Sequence, residues 1–237
     1  MSVLGIVPAR SGSKGIPNKN VRLLAGVPLL SRAIRSGLDS GVINRVLLTT
    51  DSREFADVGI KAGAEVPLLR PSELARDDTP MLPVIQHAVR HIIADGWFPE
   101  IVVLLQPTAP FRLPQDIAKA VGLLRDNPQA DSVVSVEAVP DHFSPYFVMK
   151  VLDNRLLPFM PDGLKITRRQ DAPKVYTRNG QFYVMRTQTL LEKNSIYGDH
   201  CLPFVTSHEA VNLDTMDDWV AAENSDSPSF GEIPTRQ

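Results

Sequence analysis

The sequence predicts an α/β fold, a mostly parallel sheet flanked by helices, with a β-rich insert late in the chain. Three observations lead there. Short, largely apolar runs of strand length (Val3 to Val7, Arg45 to Thr50, Ile101 to Leu105, Ser132 to Val139) alternate with longer stretches of helical periodicity. Near-continuous apolar strands separated by amphipathic helices are the pattern of a sheet covered on both faces. Polar loops follow the first and third of these runs, at the strand ends where open α/β sheets hold ligands. From Pro140 to Arg178 the alternation stops, and no long amphipathic helix is legible there.

Taken in order, Val3 to Val7 opens the sheet, and Pro8 and Ala9 lead into a long loop. Val27 to Asp39 reads as a helix, with Pro28 in its first turn, apolar Leu29, Leu30, Ala33, Ile34 and Leu38, and Gly41 as a stop. Arg45 to Thr50 is a strand ending at Asp51. Ser52 to Ala62 is a helix with Glu54 and Asp57 near its positive end. Glu65 to Leu69 is expected as a short strand, and the proline-bounded stretch Leu69 to Pro80 as irregular. Leu82 to Asp95 carries the stripe Leu82, Ile85, Val89 and Ile92. His87 and His91 stand four apart on that helix, the spacing of two metal ligands, but a solvated face is expected because no third ligand is evident.

Ile101 to Leu105 is a strand, Pro114 to Arg125 a helix, and Ser132 to Val139 a strand. Phe147 to Leu152 and Leu156 to Phe159, split by Asp153-Asn154, predict a hairpin. Val175 to Met185 alternates as a strand. Ala210 to Trp219 is read as a short strand entering a helix capped by Thr215 or Asp214. The expected division is residues 1–139 and 179–223 as the α/β domain, 140–178 as the insert, and 224–237 as a disordered tail.

Composition excludes several classes. The chain of 237 residues carries 25 basic and 27 acidic side chains, so no broad basic field for nucleic acid is expected. Its single cysteine, Cys201, rules out an intrachain disulfide and a multi-cysteine zinc site, and is expected to be buried or incidental. No apolar run approaches a membrane span and no leader is evident, so a cytoplasmic location is expected.

The loop after the first strand carries the chemistry. Arg10, Ser11, Gly12, Ser13, Lys14, Gly15, Lys19 and Asn20 offer backbone N–H groups, small residues, two hydroxyls and three cations, the donors a polyphosphate requires. It is neither G-x-G-x-x-G nor G-x-x-x-x-G-K-[ST], which disfavours a dinucleotide-binding dehydrogenase and a P-loop enzyme. No G-x-S-x-G element is present to supply a covalent nucleophile.

The string Pro8-Ala9-Arg10 to Ser13-Lys14-Gly15 to Pro17, Lys19 and Asn20 resembles the P-A-R-x-x-S-K-G-x-P-x-K-N signature of the N-acylneuraminate (CMP-nonulosonic acid) cytidylyltransferase family. The resemblance spans roughly residues 3 to 223. It implies a Rossmann-like nucleotidyltransferase that joins CTP to a nonulosonic acid and releases pyrophosphate. Arg10, Ser13, Lys14, Lys19 and Asn20 would handle the nucleotide, with Arg10, Lys14 and Lys19 supplying catalytic charge. Arg70, in a segment similar to the family's R-P-x-E-L-A-x-D, would serve the base and ribose.

Gln106-Pro107-Thr108-Ala109-Pro110-Phe111-Arg112 resembles Q-P-T-S-P-x-R, with Ala109 for serine, and implies that Gln106 contacts the acceptor. Arg178-Asn179-Gly180 is similar to the R-x-N-G element. It implies that Asn179 and Tyr183 grip the sugar acid while Arg178 meets its carboxylate or a phosphate. The insert would form a homodimer contact. Where the family shows two aspartates for Mg²⁺, this chain has Asn212 and Asp214, so metal binding would lean on Asp214. Other acceptors on this fold (KDO-like sugar acids, phosphonates) and a nucleotide-binding protein impaired by Asn212 are the rival readings.

Overall fold

A computed structural model describes residues 1–12, 15–208 and 210–224. In chain order its strands are β1 (Val3–Pro8), β2 (Leu23–Leu24), β3 (Val27–Pro28), β4 (Arg45–Thr49), β5 (Ile101–Leu104), β6 (Ser132–Ala138), β7 (Met149–Leu152), β8 (Arg155–Pro158), β9 (Tyr176–Arg186) and β10 (Cys201–Val205). Its helices are α1 (Leu29–Leu38), α2 (Arg53–Lys61), α3 (Met81–Ala94), α4 (Pro114–Asp126), α5 (Thr187–Leu191) and α6 (Met216–Asn224).

Six strands form the main sheet in the order β10-β6-β9-β5-β1-β4. β1 pairs in parallel with β4 and β5, and β10 in parallel with β6, whereas β9 runs antiparallel between β5 and β6. The predicted mostly parallel sheet is therefore what forms. Its one reversal matters for function. Because β9 runs backwards, Tyr183 lies opposite Leu104 and Arg178 opposite Val136, so the start of β9 arrives at the edge where β1, β4, β5 and β6 end.

The apolar runs are buried on both faces, as their composition required. Val3 and Val7 pack with Leu30, Ile34, Phe55, Ile117 and Leu124 from α1, α2 and α4. Leu4 and Ile6 point the other way, onto Ile85, Val89 and Ile92 of α3 and Leu190 of α5. A third cluster, Ile16, Leu24, Leu29, Phe111, Leu213 and Trp219, sits beneath the loop that follows β1.

Several boundaries differ from the sequence reading, each for a local reason. Val27 and Pro28 do not begin the first helix. They pair with Leu23 and Leu24 across Ala25 and Gly26, both at positive φ, and α1 starts at Leu29. Glu65 to Leu69 does not form a strand. Pairing on β4 is confined to Glu65, whose N–H donates to Val46 O and whose carbonyl accepts from Leu48 N; Pro67, with no N–H, cannot extend the ladder.

The segment from Ala210 is not a strand either. Leu213 N donates to Thr108 O and the Asn212 amide to Asn179 O, so its groups are spent on loops. α6 follows, with Thr215 Oγ1 accepting from Asp218 N as the expected cap. α5 and β10 were not anticipated. β10 is an edge strand of mixed exposure that contains Pro203, consistent with a sheet margin. Cys201, expected buried or incidental, is exposed on it.

The predicted hairpin forms as β7 and β8, with Asp153 and Asn154 both at positive φ, the turn that matches strand twist. It is largely uncovered: Val151 is 72% exposed, Leu156 65%, and Leu164 in the following segment 71%. No helix among the described residues is long and apolar enough to cross a membrane. The expected tail lies almost wholly outside the described residues: only Asn224 is described, as the last residue of α6.

Candidate active site

A cavity of about 310 Å³ opens at the C-terminal edge of the sheet, where β1, β4 and β5 end. Arg10, Gly15, Lys19 and Asn20 from the first loop line it, as do Arg70, Gln106, Thr108 and Asp214. Ser13 and Lys14 lie outside the described residues. Arg178, Asn179, Tyr183 and Asn212 are not part of the lining.

The first loop is held far more firmly than its polar composition suggests. Ile16 is fully buried in the third apolar cluster, against Leu213 and Trp219. The Asn20 side chain, itself buried, donates to Arg10 O at 3.0 Å. Lys19 Nζ donates to Leu213 O at 2.8 Å and pairs with Asp214 Oδ1 at 3.2 Å. Gly15 lies so close to the last segment that a Cβ there would stand 2.3 Å from Asp214 O, a backbone atom that cannot swing away. Arg10 forms an ion pair with Asp77 of the Leu69 to Pro80 stretch. Loop, cation and C-terminal segment are thus one assembly.

Arg70 is buried, its guanidinium donating to Thr49 O at 2.5 Å and Thr49 Oγ1 at 3.2 Å. Burial lowers its pKa to about 10, Asp51 opposing that shift and Arg10 adding to it. It stays charged at neutral pH, and a cation so desolvated favours an anionic neighbour. The main chain of Gln106 is anchored by Arg112, which lies wholly inside the protein. The Arg112 guanidinium donates to Gln106 O (2.8 Å), Gln181 O and Ser36 Oγ (3.3 Å). These partners are all neutral oxygens, and desolvation lowers its pKa to about 9.

The β9 residues are placed differently. Asn179 is buried, its amide donating to Thr206 Oγ1 at 2.9 Å while its carbonyl accepts from Asn212 Nδ2 at 3.1 Å. Asn212 rests on Gly180, where a Cβ would come within 2.9 Å of Asn212 Oδ1. A side chain that donates to a backbone carbonyl explains an amide here, since an ionised aspartate has no proton to give. Arg178 is exposed, hydrogen-bonded to Tyr197 Oη and stacked 5.7 Å above that ring. Tyr183 packs edge-on against Tyr197 at 6.2 Å, and burial pushes its phenol pKa up.

Could the residues present hold Mg²⁺? The Asp214 side chain, 73% exposed at the cavity, pairs with Lys19 through Oδ1. No group of three His, Cys, Asp or Glu side chains is placed to hold a metal ion among the described residues. One carboxylate with waters and substrate phosphates is nonetheless an ordinary Mg²⁺ donor set. Asp218 is spent elsewhere: Oδ2 accepts from Asp214 N (3.0 Å) and Thr215 N (2.7 Å), closing a capping box that lowers its pKa. His87 and His91 are half-buried rather than solvated, because Pro67 and Leu68 pack beside them around a void of about 10 Å³. Burial, His91 and Arg70 each lower the His87 pKa.

Sequence reasoning missed Ile16, Asp51, Asp77, Arg112 and Tyr197 as parts of this region. Arg112 and Asp77 had a signal, as the last residues of the Gln106 and Arg70 motifs, and Ile16 stands inside the first-loop motif. Asp51 meets Ser11 across 40 positions, and Asp77 meets Arg10 from a distant loop.

Comparison with known proteins agrees with this geometry. A family profile described as cytidylyltransferase matches residues 4–214. The chain is 33% identical to the CMP-N,N'-diacetyllegionaminic acid synthase of Legionella pneumophila, over 94% of this chain and 95% of that protein. It is 35% identical to the N-acylneuraminate cytidylyltransferase of Escherichia coli, over 91% of this chain and 49% of that longer protein. Among solved structures, CMP:2-keto-3-deoxy-manno-octonic acid synthetase complexed with CTP superposes with a TM-score of 0.69 at 16% identity, covering 94% of this chain and 97% of that one, a likeness of fold. The convergence of the first-loop cations on one strand-end cavity, the family profile and these relatives lead to one conclusion: the chain belongs to the cytidylyltransferase family, and is a nucleotidyltransferase of the N-acylneuraminate cytidylyltransferase type.

Proposed function

We propose that this enzyme activates a nonulosonic acid with CTP, giving the CMP-sugar and pyrophosphate. The observation that carries the reading is the cavity itself, where Arg10 and Lys19 of the first loop and Arg70 of a second segment converge beside Gln106 and Asp214. In the proposed reaction the acceptor's anomeric hydroxyl attacks the α-phosphorus of CTP, the new P–O bond forms, and the bond to pyrophosphate breaks in line. Alignment and charge neutralisation are what the protein must supply.

Arg10 and Lys19, with Lys14 from the same loop, meet the triphosphate and the developing charge on the leaving group. Arg70 and Asn20 border the nucleoside, and Ser13 adds a hydroxyl donor. Gln106 faces the acceptor, and Arg178, Asn179 and Tyr183 shape the acceptor side, Asn179 from its buried place in β9. Asp214, with the Asn212 amide oxygen beyond it, is the donor set for Mg²⁺, which when bound neutralises phosphate charge.

The exposed apolar insert (Val151, Leu156, Leu164) is read as the contact to a second copy, and the enzyme as a cytoplasmic homodimer. Pyrophosphate release with Mg²⁺, four nucleoside triphosphates and a panel of nonulosonic acids, KDO-like acids and phosphonates tests the reading. Release with CTP and a nonulosonic acid is expected. Release only with another acceptor class, or CTP binding without release, overturns it in favour of a rival.

A further inference from the structure

Asp51, which follows β4, spends both carboxylate oxygens on one residue of the first loop. Oδ1 accepts from Ser11 N at 2.8 Å and Oδ2 from Ser11 Oγ at 2.7 Å, across 40 positions of sequence. Arg10, adjacent to Ser11, lines the cavity, and Arg70, which donates to Thr49 two residues before Asp51, lines it as well. Around Ser11 the loop is also tied by Ala9 N donating to Thr49 O at 3.0 Å, by the Asn20 amide donating to Arg10 O and by the Arg10–Asp77 ion pair, none of which engages Ser11. A carboxylate beside a triphosphate site is electrostatically unfavourable for the ligand. Its presence there calls for a compensating role. An anion satisfies both donors of Ser11 with charge-assisted bonds, which one neutral acceptor cannot do, and it supports the charge of buried Arg70.

We propose that Asp51 is a positioning residue for the nucleotide: by clamping Ser11 it holds Arg10 and the first loop in the geometry that accepts CTP. This rests on the reading of the cavity as a CTP site. Charge-assisted bonds of this kind, once lost, correspond to about tenfold in binding.

The test compares wild type, Asp51→Asn, Ser11→Ala and the double variant by calorimetric titration with CTP, by steady-state kinetics and by thermal melting. Asp51→Asn is expected to melt with the wild type yet bind CTP about tenfold more weakly. Ser11→Ala should lose a similar factor, and the double variant no more than the larger single loss, because the two act as one contact. The KM for CTP should rise with kcat changed less than threefold. Wild-type or tighter CTP binding in Asp51→Asn, losses that multiply in the double variant, or a lowered melting temperature with unchanged KM would each overturn the assignment. A wild type that neither binds CTP nor releases pyrophosphate overturns the CTP reading itself, and is distinct from a failure confined to Asp51.

Discussion

The two halves of the site are built in different ways. On the side proposed for the nucleotide, Arg10, Lys19, Asn20 and Arg70 line one cavity, and each is tied to a carboxylate or a backbone carbonyl of the same chain. Of the residues proposed for the acceptor, Gln106 lines that cavity and Arg178, Asn179 and Tyr183 do not. Arg178 lies exposed over the Tyr197 ring, Asn179 is buried in hydrogen bonds to Thr206 and Asn212, and the insert is apolar and uncovered. The contrast teaches that pocket formation tracks how many long-range ties a segment has. A loop pinned at Ile16, Asn20 and Lys19 is preorganised for charge, at little ordering cost on binding. β9 itself is held between β5 and β6, whereas the β7–β8 hairpin leaves Val151 and Leu156 uncovered.

The largest effect expected from breaking this contrast is on the nucleotide side. Lys19→Ala or Arg10→Ala should lower kcat/KM by about 10²–10³, measured by pyrophosphate release; near-wild-type turnover in both would remove them from the mechanism. Gly15→Ala should act in the same direction, because its Cβ meets Asp214 O and must displace the loop.

Arg178→Ala sharpens the contrast. It should raise KM for the sugar acid about tenfold, an order typical of a lost charge-assisted bond, and leave CTP binding unaltered.

Beneath both halves lies Arg112. Replacing it with methionine orphans the Gln106 and Gln181 carbonyls, and stability measured by urea unfolding should fall by about 3 kcal/mol.

A smaller effect concerns acid. Lys193 and the backbone N–H groups of His200 and Asp199 hold the Asp131 carboxyl far below its ordinary range. A depressed carboxyl contributes stability above its unfolded pKa and loses it as pH falls toward the folded value. Asp131→Asn should therefore lower the melting temperature at neutral pH and narrow the gap to wild type below about pH 4, in melts across pH.

The smallest effect on folding is expected from Leu156→Asp in the hairpin, which should leave the melting temperature within a degree or two, as surface changes do, yet halve the mass in light scattering if the insert is the dimer contact.

Much of the fold could be read from residue order, and the reason is physical. Val3 to Val7 and Ile101 to Leu105 have the length and composition that only a doubly covered strand uses, and Asp153-Asn154 suits the turn it makes. β10 escaped because Pro203 and a mixed-exposure margin carry no strong period, and Glu65 to Leu69 misled because Pro67 ends pairing whatever the propensities around it. In the site, the cations were legible as residue types at fixed spacing. Asp51 was not, and Asp77 was legible only as the end of the Arg70 motif, since nothing local marks an acid 40 or more positions away as the partner of Ser11 or Arg10. Asn179 shows the converse: its motif was visible, while its buried amide was not.

If the strand-end cavity is the proposed CTP site, CTP binds there without any acceptor. Calorimetric titration of CTP with Mg²⁺ and no sugar acid tests it directly. Saturable binding of one CTP per chain is expected, weakened at least tenfold in Lys19→Ala and unchanged in Arg178→Ala. No binding without the acid, or an equal loss in Arg178→Ala, would contradict it.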